Sequence, residues 1–183
     1  MTVLIPIDWQ AAFAHPTYRG SVRNNPAAEA NALSLLAAWR GAGRQVVHVV
    51  HDSADPASIL RLDMPGGAPK AGFEPRAGEA VRSKRVNAAF IGTDLDAMLR
   101  RAGAAHLTIC GLTTDHCVST TARMAGNLGY RSPLAGDAWA AFARTGPDGV
   151  THDAATIHAT ALASLHGEFA TVRATEDILE TAT

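Results

Sequence analysis

Short aliphatic and β-branched runs alternate along this chain with longer alanine- and leucine-rich segments. That alternation restricts the fold to parallel strands joined by crossover helices. Val3 to Ile7 reads as the first strand. Asn25 as cap and Pro26 at the first helical position then open a helix running to about Trp39. Gly41 and Gly43 stop it, and Arg44 to Val50 forms a second strand, whose near-continuous apolar character suits a sheet covered on both faces. Thr93 opens a helix with Leu95, Met98, Leu99 and Ala102 on one face, and His106 to Cys110 is a buried third strand. The loop Gly111 to His116 leads into a helix from about Cys117 to Leu128. Ser132 to Ala135 is a fourth strand, Thr151 to Leu165 a last helix and Phe169 to Val172 a closing strand, with a polar surface tail after Ala174. The expected fold class is α/β, a three-layer α/β/α arrangement with a central, mostly parallel sheet of Rossmann-like topology.

The stretch His51 to Ser83 breaks the pattern with repeated Pro and Gly, and loops of that length in compact folds are commonly functional. It is expected to overhang a pocket or an interface between subunits. No repeat or linker divides the chain, so residues 1–183 are read as one domain. The 16 basic and 17 acidic residues are dispersed, which argues against nucleic acid or a membrane surface as partner and for a small molecule without strong charge. The apolar start MTVLIPI has no basic segment before it and is cut short by Asp8, so a cytoplasmic location is expected. In that reducing compartment a structural disulfide between Cys110 and Cys117 is not the expected use, and at least one of them is expected to be free for chemistry.

In open parallel sheets ligands sit beyond the carboxyl ends of the strands, which singles out Asp8, His51, Asp52 and Cys117. A thiol at a helix N-terminus feels the positive end of the dipole, and the same free N–H groups can hold an oxyanion. Cys110, inside a strand, reads as packing. A thiol nucleophile also needs a proton acceptor and a nearby cation, and Asp8 and Lys84 supply these residue types. Gly41-Ala42-Gly43 follows a helix and precedes a strand, the reverse of a dinucleotide fingerprint, and the glycines at 66 and 67 lack a phosphate loop's Gly-Lys-Ser/Thr ending. No nucleotide cofactor is expected.

Ile7-Asp8-Trp9-Gln10-Ala11-Ala12-Phe13 resembles the first-strand motif of the isochorismatase-like cysteine hydrolases. Lys84-Arg85-Val86-Asn87-Ala88-Ala89-Phe90-Ile91-Gly92-Thr93-Asp94-Leu95 is similar to their lysine segment, and Gly111-Leu112-Thr113-Thr114-Asp115-His116-Cys117-Val118 to their nucleophile loop. The likeness extends over nearly the whole chain, to His158 and the closing stretch Leu162 to Ala170. It implies an isochorismatase-like fold, usually assembled as a homo-oligomer, and a catalytic triad. Asp8 is the expected general base, Lys84 the cation lowering the Cys117 pKa, and Cys117 the nucleophile. It also implies a cis peptide at Leu112–Thr113, an oxyanion hole from the Thr113 and Cys117 N–H groups, and hydrolysis of a small amide, ureido or lactam C–N bond through a thioester.

Relatives acting as nicotinamidases carry a metal site after the second strand, built from an Asp-x-His pair and further histidines. Here no histidine follows His51 until His106, so no metal is expected and His51 is expected to shape the substrate pocket with Trp9, Phe13 and Phe90. Ala88 stands where many relatives carry serine. His116 adjoins Cys117, but adjacent side chains at a helix start point apart. Two further readings compete. A non-catalytic binding or assembly protein on the same fold is opposed by the triad, and vinyl-ether hydrolysis of the isochorismatase type does not need Cys117.

Overall fold

The computed structural model describes residues 1–15, 18 and 22–182. In chain order its elements are β1 (Thr2–Ile7), α1 (Ala28–Gly41), β2 (Val47–His51), β3 (Ala80–Lys84), α2 (Leu95–Arg101), β4 (His106–Leu112) and α3 (Ser119–Asn127). There follow β5 (Pro133–Ala140), β6 (Arg144–Thr145), β7 (Thr151–His152), α4 (Ala154–Leu165), β8 (Thr171–Arg173) and α5 (Thr175–Ala182). Six strands make one sheet in the order β3-β2-β1-β4-β5-β8, with every neighbouring pair parallel, and β6 and β7 form a small separate hairpin. The α/β expectation therefore holds, with helices flanking a parallel sheet.

Alternation along β5 shows how the layers are assigned. A Cβ on Gly136 would meet Leu162 of α4, whereas Asp137 turns the other way, and its Oδ1 accepts from the Thr175 N–H at 2.8 Å to cap α5. α1 and α5 pack on each other and on β5, and α3 packs on α4. The central strands β1 and β4 are buried on both faces: Val3, Leu4, Ile5, Ile7, Leu107, Ile109 and Leu112 are all without exposure. No described helix is long and apolar enough to cross a membrane.

Four local expectations are corrected. The expected loop 51–83 contains the edge strand β3, ending on Lys84, which pairs in register with His51 at the end of β2. The polar tail after Ala174 is the helix α5, seated by Ile178 at 3% exposure. Thr151, expected to start the last helix, lies in the β6–β7 hairpin, and α4 starts at Ala154 because the Asp153 side chain accepts from the Thr156 N–H. Asn25 does not cap α1, which begins at Ala28. Its side-chain amide donates instead to the carbonyls of Asp137 (2.8 Å) and Trp139 (2.7 Å), tying the entry of α1 to β5.

Candidate active site

Asp8, His51, Lys84 and Thr113 each sit at or just past the carboxyl end of a strand, and Cys117 lies four residues beyond Thr113. β1 and β4 are adjacent strands from which the chain order runs outward in opposite directions, so their ends border the crevice in which such sheets bind ligands. Their separation there is set by a glycine. Gly111 pairs with Ile7, and a Cβ on it would lie 2.3 Å from the Ile7 carbonyl oxygen. The backbone turns sharply at Asp8, whose φ of 54° is tolerated by Asp and Asn better than by other side chains. Beyond the cis peptide Leu112–Thr113, the segment Thr114–Val118 is one π-helical turn running into α3. π turns recur at functional sites. The Thr113 carbonyl accepts from the N–H groups of His116 (3.2 Å) and Val118 (3.3 Å), on either side of Cys117.

The structure brings Asp8, Lys84 and Cys117 together. Lys84 Nζ donates to Asp8 Oδ2 at 2.8 Å and to Cys117 Sγ at 3.2 Å, and lies 3.1 Å from His51 Nδ1. An ammonium has three N–H donors, and these three acceptors use them all. Both side chains of the Asp8–Lys84 ion pair are fully buried. Asp8 Oδ1 has no hydrogen-bond partner among the described residues. The Cys117 sulfur, in a residue 8% exposed, lies 3.6 Å from Asn87 Oδ1, and Asn87 is exposed at the mouth of the site.

The thiol does not behave as the sequence suggests. Lys84 does favour the thiolate, but burial and the negative charge of Asp8 outweigh it and push the Cys117 thiol up to about 12. Cys117 is therefore held as a thiol in the resting site. His51 moves the other way. Burial, then the Lys84 charge, lower its pKa, so it is neutral at neutral pH and offers Nδ1 as an acceptor to the lysine.

A cavity of about 260 Å³ opens onto Cys117 and Asp8 and is lined also by Phe13, Tyr18, His51 and Asn87. Phe13 and Tyr18 meet edge to face, with centroids 4.9 Å apart, and wall one side. Trp9 and Phe90, expected in this wall, are not part of the lining. Trp9 is stacked on Phe73 (4.6 Å) and Phe90 on Tyr130 (6.0 Å), because a strand end and the turn after β3 direct these rings into the core. Asp52 faces away from the cavity, toward Arg85 (3.2 Å) and the Leu62 N–H (3.1 Å).

Sequence reasoning missed three contributors. Gln10, fully buried, accepts from the His51 N–H (2.8 Å) and donates to the carbonyls of His51 (2.9 Å) and Gly67 (3.0 Å), clamping the end of β2 to the loop beyond it. Its place two residues after Asp8 was the available signal. Asn87 lay inside the lysine motif without a role. Thr114 Oγ1 meets His158 Nδ1 at 2.8 Å, so α4 braces the turn that carries Cys117. His116, adjacent to Cys117, is turned to Asp115 (3.5 Å) and Arg144 (3.4 Å) and forms no dyad with the thiol.

Asp8, His51 and Cys117 place one potential metal-ligand atom each within 4.8 Å of one another. The Lys84 ammonium contacts Asp8 Oδ2, His51 Nδ1 and Cys117 Sγ, so a cation of the protein's own already sits among these three side chains.

An isochorismatase domain is matched over residues 2–177. The chain is 42% identical over 176 residues to the uncharacterized isochorismatase family protein YrdC of Bacillus subtilis, covering 96% of this chain and 93% of that protein. A crystal structure of an isochorismatase-family protein from Chromobacterium violaceum superposes with a TM-score of 0.95 at 42% identity, covering 99% of this chain and 93% of the other. A cysteine hydrolase from Pseudomonas syringae pv. phaseolicola is similar at 25% identity, with a TM-score of 0.90 and coverage of 100% and 93%.

Proposed function

We propose, from the premise that the chain belongs to the isochorismatase family of hydrolases, that it is an amidohydrolase cleaving a C–N bond of a small amide, ureido or lactam substrate, with Cys117 as nucleophile. One observation carries the reading: a buried ammonium joined at once to a carboxylate and to a thiol that faces a cavity of substrate size. Similarity to a cysteine hydrolase supports the choice of nucleophile.

The chemistry follows from the resting protonation state. Because the thiol is held up near 12, Cys117 attacks as its proton leaves, and the nearby base is Asp8, whose Oδ1 is uncommitted. Sγ bonds to the carbonyl carbon, and the carbonyl oxygen becomes an oxyanion received by the Thr113 and Cys117 N–H groups. As the C–N bond breaks, protonated Asp8 delivers its proton to the leaving nitrogen. The ionised carboxylate then takes a proton from the water that attacks the thioester, and releases the acid product and the Cys117 thiol. Lys84 acts throughout as a fixed positive charge. Its charge stabilises the negative charge that develops on sulfur as the proton leaves, while neutral His51 aims it. Gln10 in turn fixes His51.

The reading is tested by offering the protein a panel of small primary amides, ureido acids and lactams and measuring ammonia, amine or acid release. At least one should turn over, and Cys117→Ala should abolish turnover while leaving the melting temperature within a few degrees. Turnover that survives Cys117→Ala would overturn the assignment.

A further inference from the structure

At the opposite edge of the sheet, where β1, β4, β5 and β8 begin, a cavity of about 420 Å³ opens near α1 and α5. Its size falls in the range of small-ligand sites. Arg44 from the turn after α1, Arg131 just before β5 and Arg173 at the end of β8 line it, and no Asp or Glu does among the described residues. None of these three guanidinium groups has a carboxylate at ion-pair distance among the described residues. Eight other arginines of the chain do.

The floor of the cavity is polar and unsatisfied. Trp39, Thr108 and Ser132 line it at 1%, 0% and 4% exposure, and Trp39 Nε1, Thr108 Oγ1 and Ser132 Oγ lack hydrogen-bond partners among the described residues. Buried polar groups are nearly always bonded, and these three unbonded ones belong to residues that line this one cavity. Each can donate a hydrogen bond. Donors and uncompensated positive charge together select an anion with several acceptor oxygens.

We propose that this cavity binds a multiply charged oxyanion of the phosphate or phosphomonoester class. Arg131 and Arg173 hold its charge from the rim, and Arg44 flanks it from above the Trp39 ring, 5.7 Å away. The site is separate from the Cys117 centre. At about 3.3 Å per residue, the length of β1 puts roughly 20 Å between the two ends of the sheet. The inference therefore stands or falls independently of the amidohydrolase reading.

The test is a thermal melt and a tryptophan-fluorescence titration with inorganic phosphate and with glycerol phosphate, against potassium chloride at matched ionic strength. A saturable rise in melting temperature is expected, with a fluorescence change from Trp39. Both should require at least tenfold more ligand in Arg131→Gln/Arg173→Gln and be unchanged in Cys117→Ala. The ligand with the lower half-saturation identifies the preferred source of the phosphoryl group. An equal response in the arginine variant, an equal response to chloride, or no saturable response would each overturn the proposal and leave water as the partner of the buried donors.

Discussion

Replacing Asp8 by Asn isolates the electrostatic core of the account. Asn keeps the size of the side chain and tolerates the positive φ at this position, so the backbone turn survives and only the charge is lost. What remains is the Lys84 ammonium, buried without its carboxylate. Breaking a buried ion pair from one side costs about 3–5 kcal/mol, because the surviving charge is uncompensated. At about 2–4 °C per kcal/mol for a chain of this length, the melting temperature should drop by roughly 6–20 °C. Lys84→Met should cost a similar amount by stranding the carboxylate. Removing both charges in Asp8→Asn/Lys84→Met should restore a large part of the loss, since a buried pair replaced by neutral groups is often close to neutral. Calorimetry on the four proteins gives the coupling, expected to exceed about 2 kcal/mol. Single losses that add to within about 0.5 kcal/mol would refute the claim that the pair is a unit, since independent sites add to that precision.

Because burial and Asp8 hold the Cys117 thiol near 12, alkylation by iodoacetamide should accelerate about tenfold per pH unit from pH 7 to 10, with Cys117→Ala as the blank, and a plateau below pH 8 would contradict this. Gln10→Ala breaks three hydrogen bonds, one buried and two partly buried, and should lose about 1–3 kcal/mol for each buried group left unsatisfied, with kcat falling as His51 loses its anchor, both read by denaturant melts and turnover. Gly111→Ala drives a methyl against the Ile7 carbonyl oxygen and should destabilise by about 1–3 kcal/mol while separating Asp8 from the Cys117 turn, seen as a loss of turnover larger than the loss of stability. Glu79 is lowered to about 2, first by its bond to Arg40, and His48, His51 and His158 are lowered chiefly by burial. Groups with depressed folded pKa values bind fewer protons folded than unfolded, so stability should be full above about pH 7. It should fall as the histidines charge below about 6.5 and fall again from about 4.5 toward 2 as Glu79 protonates, checked by melts across that range.

The central sheet was legible because β1 and β4 are covered on both faces and β2 over most of its length, so that all three read as near-continuous apolar runs. β3 was not. As an edge strand of sequence Ala-Val-Arg-Ser-Lys it buries only Lys84 fully, and a lysine at the only fully buried position hides the strand from any hydrophobic pattern. α5 was hidden similarly, since a polar segment seated by Ile178 and capped by Asp137 takes its stability from tertiary contacts. At the site, residue types and motif order located Asp8, Lys84 and Cys117, but not the fourth contact. Nothing local shows that His51 and Lys84 end neighbouring strands in register, which is a property of pairing. The directions of Trp9 and Phe90 were equally out of reach, because an aromatic beside a candidate site residue packs wherever the core has room.

The most direct test of the central claim is to quench the protein in acid during turnover of an amide from the panel and map the covalent adduct by mass. The acyl mass is expected on the peptide carrying Cys117, lost on treatment with hydroxylamine and absent from Cys117→Ala, which should also be inactive. Turnover without an adduct in Cys117→Ala, or an acyl group carried by any other residue, would contradict it.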